Sequence, residues 1–221
     1  MTRNMEAVVR VAVLLIVCGL LMPHTLFATE FDLRKAKWGM TKEEVRASEG
    51  NKNTVEESPT LLSFKERVNN QEVLINYAFS DDKLVGALYV LRYYRAGIIP
   101  LPHVGNSILE DYFSAQTQVS QKLGSPEPEM VTTEWSDEQF KDKHNLHGLA
   151  LIKGHLTHKT IWESDRSQIA LATMSDGKET ALVMGLKSKE HTELFEKLQA
   201  EEKKLKELLD STPTDSALVS P

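Results

Sequence analysis

The chain has 221 residues, 41% of them hydrophobic, and a net charge of −6. This length suits one domain or two small ones, and the acidic balance argues against a nucleic-acid partner. Its only cysteine, Cys18, lies among the first 28 residues. A chain without those residues has no disulfide, no thiol nucleophile and no cysteine ligand for zinc or an iron–sulfur cluster.

The first 28 residues have the three-part layout of a secretory signal peptide. Arg3 and Arg10 form a basic start, residues 11–22 are apolar, and Ala28 offers a small residue at a cleavage point. The apolar run is shorter than the roughly 20 residues of a membrane-spanning helix. We predict a signal peptide over 1–28 and a periplasmic or secreted mature chain near net charge −7. Because Leu26 is large for its position, an uncleaved signal that anchors the chain is the alternative.

The first half of the remaining chain predicts one helix followed by strands. Thr41 and Glu44 form a capping box, so a short helix should continue to about Glu49, and a polar loop is expected over 51–59. Apolar residues then recur at the spacing of a strand from Leu62. Alternating residues over 72–94, with turn residues in the middle, predict a β-hairpin.

The second half repeats this order. A helix is predicted from His103 to Leu123, because apolar residues recur on one face every three or four positions. A strand over 129–135, a loop over 136–147 and a strand over 149–156 follow in the prediction. The last predicted strands span residues 160–163, 168–174 and 179–185.

A charged helix is predicted over 188–210, followed by a disordered tail over 211–221. Its apolar stripe contains Leu194, Leu198, Leu205 and Leu208 and is interrupted at Glu201. We expect this helix to pack on the chain's own body, with a short dimerising coil as the alternative.

The element order predicts an α+β domain over 29–187, built on an antiparallel sheet with helices on one face. It divides into two similar helix-plus-strands halves, 31–95 and 103–187, and the helix at 188–210 follows them. The sequence predicts no particular oligomeric state.

Three short segments carry a resemblance to a known class. They are the opening Trp38-Gly39-Met40-Thr41-Lys42-Glu43-Glu44-Val45, the helix end Gln121-Lys122-Leu123-Gly124-Ser125-Pro126, and residues 162–169. The chain resembles small exported bacterial proteins of the BamE and beta-lactamase-inhibitor-protein-like group, and uncharacterised exported proteins with a similar start. The resemblance implies binding, assembly or inhibition through a sheet surface. It implies no catalytic residues.

Four histidines, His144, His147, His155 and His158, fall close together and raise the question of a metal site. Because the surrounding sequence predicts loop and strand, residues three apart should point to opposite sides, and no known metal motif is present. We therefore assign no catalytic, cofactor-binding or metal-ligating residue. A metal-binding protein or hydrolase that uses these histidines is the alternative.

Other chemistry-bearing groups have an ordinary structural explanation. The sequence contains neither a nucleophile-elbow serine motif nor a glycine-rich phosphate loop. The acidic pairs at 56–57 and 81–82 should be solvated. The tryptophans are candidates for a ligand platform, and the tyrosines of one predicted strand are candidates for a binding surface. Packing is the simpler explanation for both sets, which are Trp38, Trp135 and Trp162, and Tyr89, Tyr93 and Tyr94.

These expectations favour an exported, non-enzymatic cell-envelope protein without a cofactor. It would bind a protein or another envelope component through its sheet surface. Contact with a membrane is expected only through an uncleaved signal.

Overall fold

The computed structural model describes residues 35–50, 54–68, 71–95 and 101–211, with side chains described to residue 204. The predicted signal peptide at 1–28 lies outside the described residues, as does the predicted tail beyond residue 211. No helix within the described ranges combines the length and apolarity needed to cross a membrane.

Helices and strands alternate in blocks along the described chain. The helices are α1 (Lys42–Glu49), α2 (Pro102–Leu123), α3 (His147–Ile152) and α4 (Thr192–Ser211). The strands are β1 (Thr54–Ser58), β2 (Leu61–Val68), β3 (Gln71–Ser80), β4 (Lys83–Arg95), β5 (Val131–Trp135), β6 (Leu156–Glu163), β7 (Ser167–Ser175) and β8 (Glu179–Ser188).

The described strands all join one eight-stranded antiparallel sheet in the order β1-β2-β3-β4-β8-β7-β6-β5. Strands β4 and β8 meet at the centre, from Gly86 opposite Lys187 to Arg95 opposite Glu179. The first half contributes α1 and four strands, and the second contributes α2, α3 and four strands. In each half the last strand is central and the first strand lies at an edge. This arrangement confirms the predicted α+β class and the two similar halves.

One face of the sheet carries the main core. Val45 of α1, Tyr112 of α2 and Leu151 of α3 are buried there with strand residues such as Ile75 and Leu171. The apolar periodicity of the predicted second helix and of the hairpin already indicated the burial of Tyr112 and Ile75. Burial of such large side chains supplies most of the driving force for this packing.

The C-terminal helix α4 packs on the opposite face, as an element of the chain's own body. Phe195 and Leu198 are buried against Val85, and the Lys197 ammonium lies 2.7 Å from the Asp81 carboxylate. Gly86 permits this contact, because a Cβ there would lie 2.7 Å from Cε2 of Phe195. The predicted apolar stripe of this helix contained Leu198 but not Phe195, the aromatic residue that is buried against the sheet.

Two predicted elements were wrong. The loop expected over 51–59 contains β1, whose residues are mostly exposed and polar because the strand lies at the sheet edge. The strand expected over 149–156 is instead α3 for its first part, and β6 begins only at Leu156. A short apolar run fits a buried helix and a buried strand equally well.

Local signals were more reliable. The Thr41–Glu44 capping box is present at the start of α1, with both reciprocal hydrogen bonds formed. The predicted hairpin is β3–β4, and its turn places Asp81 and Asp82 at positive φ, 49° and 58°. Aspartate tolerates this backbone region better than most residues, so the turn forms where the sequence predicts it.

Candidate functional site

The four histidines lie along the segment that joins β5 to β6 and on β6 itself. His144 belongs to a 3-10 turn and His147 opens α3, so their rings meet 4.9 Å apart at their centroids. The expectation that residues three apart would point to opposite sides was wrong here, because the local backbone is helical. His155 stacks on Phe140, with ring centroids 5.4 Å apart.

His158 is partly buried. It stacks on Tyr112 with ring centroids 5.3 Å apart, and its Nδ1 lies 2.9 Å from the Thr133 hydroxyl. Burial, with a smaller effect from His147, lowers the pKa of His158 to about 4. The ring is therefore neutral at pH 7 and serves as an aromatic packing element.

Two other histidines have hydrogen-bond partners of their own. The His147 Nε2 lies 3.1 Å from the Lys141 carbonyl, and the His155 Nδ1 lies 3.1 Å from the Ser136 hydroxyl. Across the described ranges, no three histidine, cysteine, aspartate or glutamate side chains converge in a way that could hold a metal ion. Through their aromatic contacts and hydrogen bonds, these histidines hold the 136–155 segment in place.

The three tryptophans contact different elements. Trp162 is buried in the core and its Nε1 donates to the Ser120 hydroxyl at 3.3 Å, while Trp135 lies against His147. The Trp38 Nε1 donates to the Ser167 hydroxyl at 2.9 Å. That bond joins the opening motif of the chain to the late 162–169 segment, so two of the three segments that carry the resemblance meet in space.

The tyrosines of β4 differ in exposure along the strand. Tyr89 is buried, Tyr94 is half-buried and Tyr93 is 41% exposed. Partial burial and a hydrogen bond to the Glu179 carboxylate raise the pKa of Tyr93 to about 12. Because Glu179 also pairs with Arg95 at 2.9 Å, this end of the strand is held by a local polar network.

The acidic pairs lie on exposed turn or edge backbone. Asp81 pairs with Lys197, and Glu57 pairs with Arg46 at 2.5 Å. Elsewhere on the surface is a shallow polar depression of about 320 Å³ at the end of α2. It is lined by Gln116, Thr117, Ser120, Gln121, Ser125 and Pro126.

Within the part of the chain that the structure describes, the outer side of β5 pairs with no other strand, and exposed apolar side chains lie beside it. Residues 131–134 are exposed, and Val131 itself is 40% exposed. Phe113 of α2 is 48% exposed and touches the His158 ring, which pairs across the strands with Thr133. Phe113 and Val131 therefore lie on the same face at the same edge.

Sequence reasoning predicted the strand over 129–135 but missed this site. The periodicity of a strand indicates which residues alternate, whereas its place in the sheet depends on contacts between distant segments. The one local signal of this site was that Phe113 is apolar but lies outside the buried apolar stripe of α2.

No known protein family, curated protein or solved structure matches the chain. The resemblance to the BamE and beta-lactamase-inhibitor-protein-like group stays a prediction from its short motifs. The case for a function therefore depends on the geometry of the described residues.

Proposed function

We propose that this chain is an exported, non-enzymatic cell-envelope protein that binds another protein through its sheet. The surface that we assign to this binding is the β5 edge together with Phe113. We refer to Phe113, Val131 and Thr133 with the outer side of β5 as the β5 edge surface.

One observation carries the proposal: two large apolar side chains are exposed beside β5, whose outer side pairs with no other strand among the described residues. The helices α1, α2 and α3 cover one face of the sheet, and α4 packs on part of the other. Exposed aromatic and aliphatic side chains next to each other are typical of protein-binding surfaces. An open strand adds main-chain donors and acceptors to the same surface.

The test is site-specific photocross-linking in the native host. A photoreactive phenylalanine analogue replaces Phe113 in one variant and Val55, which is 37% exposed on the opposite edge strand, in the control. We expect a discrete cross-linked protein from position 113 and none from position 55. The same products from both positions, or none from position 113, would contradict the proposal.

A further inference from the structure

We propose that the β5 edge accepts an extended peptide strand from the partner, one that carries lysine or arginine alternating with apolar residues. This inference rests on the proposed function and specifies the partner's chemistry. The partner would extend the sheet by main-chain hydrogen bonds, as in strand addition.

The hydrogen bonds of β5 define which groups face outward. The Ser136 N–H donates to the His155 carbonyl at 3.1 Å, so alternate residues 134 and 132 also direct their backbone groups toward β6. The backbone groups of Val131, Thr133 and Trp135 then point away from the sheet. A partner strand of about five residues could pair with them.

The two edges of the sheet differ in how well they could accept a strand. The β1–β2 pairing shifts register between Thr54 and Glu56, and such irregularities disrupt edge pairing. The β5–β6 register runs without a shift from Val131 to Trp135. Strand β5 also contains no lysine and no proline, which commonly protect edges.

The side chains around β5 indicate the partner's pattern. On the helix-covered face, a strand beyond β5 would place one set of side chains beside Val131 and Phe113, where apolar residues fit. The other set would lie on the face of Glu134.

The charge around the edge is negative. Residues 125–140 carry five carboxylates, on Glu127, Glu129, Glu134, Asp137 and Glu138, and no lysine or arginine. Cations close to these carboxylates include Lys141, 3.4 Å from Glu138, Lys143, which interacts electrostatically with Asp137, and Lys159, opposite Thr132 on β6. A cationic strand therefore complements this edge, whereas an anionic one would be repelled.

The probe is a capped heptapeptide of alternating lysine and valine, with a glutamate–valine heptapeptide of the same pattern as the matched control. Binding is measured by fluorescence anisotropy. We expect the lysine peptide to bind at least tenfold more tightly than the glutamate peptide. Equal binding of the two peptides, or no binding of the lysine peptide, would overturn the proposal.

Two variants test the geometry. Thr133→Pro removes an outward N–H and the side-chain bond to His158 while leaving the main-chain bonds to β6, and Glu134→Lys reverses a charge on the strand. Each should weaken binding of the lysine peptide at least tenfold, whereas Val55→Ser on the other edge should not change it. Circular dichroism shows whether each variant is folded. Unchanged binding by both folded β5 variants would contradict strand addition.

Hydrogen exchange of the unsubstituted chain supplies a direct signature. Bound peptide should slow exchange of the Thr133 N–H, while the Thr132 and Glu134 N–H groups are already protected by β6. If cross-linking from position 113 captures a protein but Thr133 is not protected, the binding function stands and strand addition fails. If position 113 captures nothing, the binding function itself fails.

Discussion

At the scale of single residues, two glycines hold α3 against α2. A Cβ on Gly105 would lie 2.0 Å from the carbonyl oxygen of Gly148, and one on Gly148 would lie 2.2 Å from the Asn106 side chain. No side chain fits at either position without moving a backbone. This contact anchors the segment that carries His144 and His147.

We therefore predict that Gly105→Ala lowers the free energy of unfolding by about 2–3 kcal/mol, because the added methyl overpacks the helix contact. Urea denaturation measures the loss. Ser114→Ala, on the exposed side of the same helix, is the control and should change stability by less than about 0.5 kcal/mol. A Gly105→Ala variant as stable as the parent chain would refute the close contact.

His158 gives the fold a pH dependence. Its pKa falls from 6.5 to about 4 on folding, so its contribution to stability is complete above pH 6.5 and is lost as the pH drops toward 4. The groups around the ring are Tyr112, Phe113, Thr133 and His147, and none of them is anionic. A protonated His158 ring therefore has no negative charge among these groups to stabilise it.

The variant His158→Gln keeps a polar partner for Thr133 but does not titrate. Unfolding curves at pH 7.5 and pH 4.5 should show that the parent chain loses about 2 kcal/mol more than the variant over this range, after allowance for partial solvation. Identical pH profiles for the two proteins would show that His158 is not enclosed as described.

At the scale of elements, Phe195 is one of the described side chains that attach α4 to the sheet. The Phe195 ring occupies the space that a side chain on Gly86 would fill, and the Lys187 ammonium lies 5.3 Å from the ring centroid. The sheet beneath the helix is paired independently of it. The attachment of α4 can thus be changed without altering strand pairing.

A double-mutant cycle tests this attachment. Gly86→Ala should destabilise the chain by about 1–3 kcal/mol when Phe195 is present, because the new methyl displaces the ring. In a Phe195→Ala background the same substitution should cost at least about 1 kcal/mol less. Additive effects in the cycle, or unchanged hydrogen exchange in α4, would contradict the contact.

The sequence predicted elements best where a local signal and the tertiary environment agree. The capping box at Thr41, the β3–β4 hairpin and the periodic stripe of α2 are such cases. Strand β1 was missed because an edge strand exposed to solvent can be polar, and α3 was missed because a six-residue helix has too few turns to show a period. The β5 edge surface depends on strand order, which no local pattern contains.

At the scale of the whole molecule, the two halves share one core. Side chains from both halves belong to the same buried cluster, for example Tyr77 with Leu171, and the β4–β8 pair joins them. Neither half could unfold without exposing the apolar surface of the other. The free energy of the opening that allows amide hydrogen exchange should therefore be similar in the two halves.

Native-state hydrogen exchange measures this directly. The most protected amides of β3 and β7 should exchange with the same free energy, equal to that of global unfolding from denaturant curves. Exchange in one half at a clearly lower free energy would show two independently unfolding units.

The central claim, as proposed above, is that the chain is exported and binds a protein at the β5 edge. Native mass spectrometry of the chain released gently from its own cell envelope tests this most directly. We predict a complex of one protein partner with a chain that begins near Thr29, and loss of that complex in the Thr133→Pro variant. A partner-free chain, a stoichiometric bound metal ion or a complex unaffected by Thr133→Pro would contradict the account.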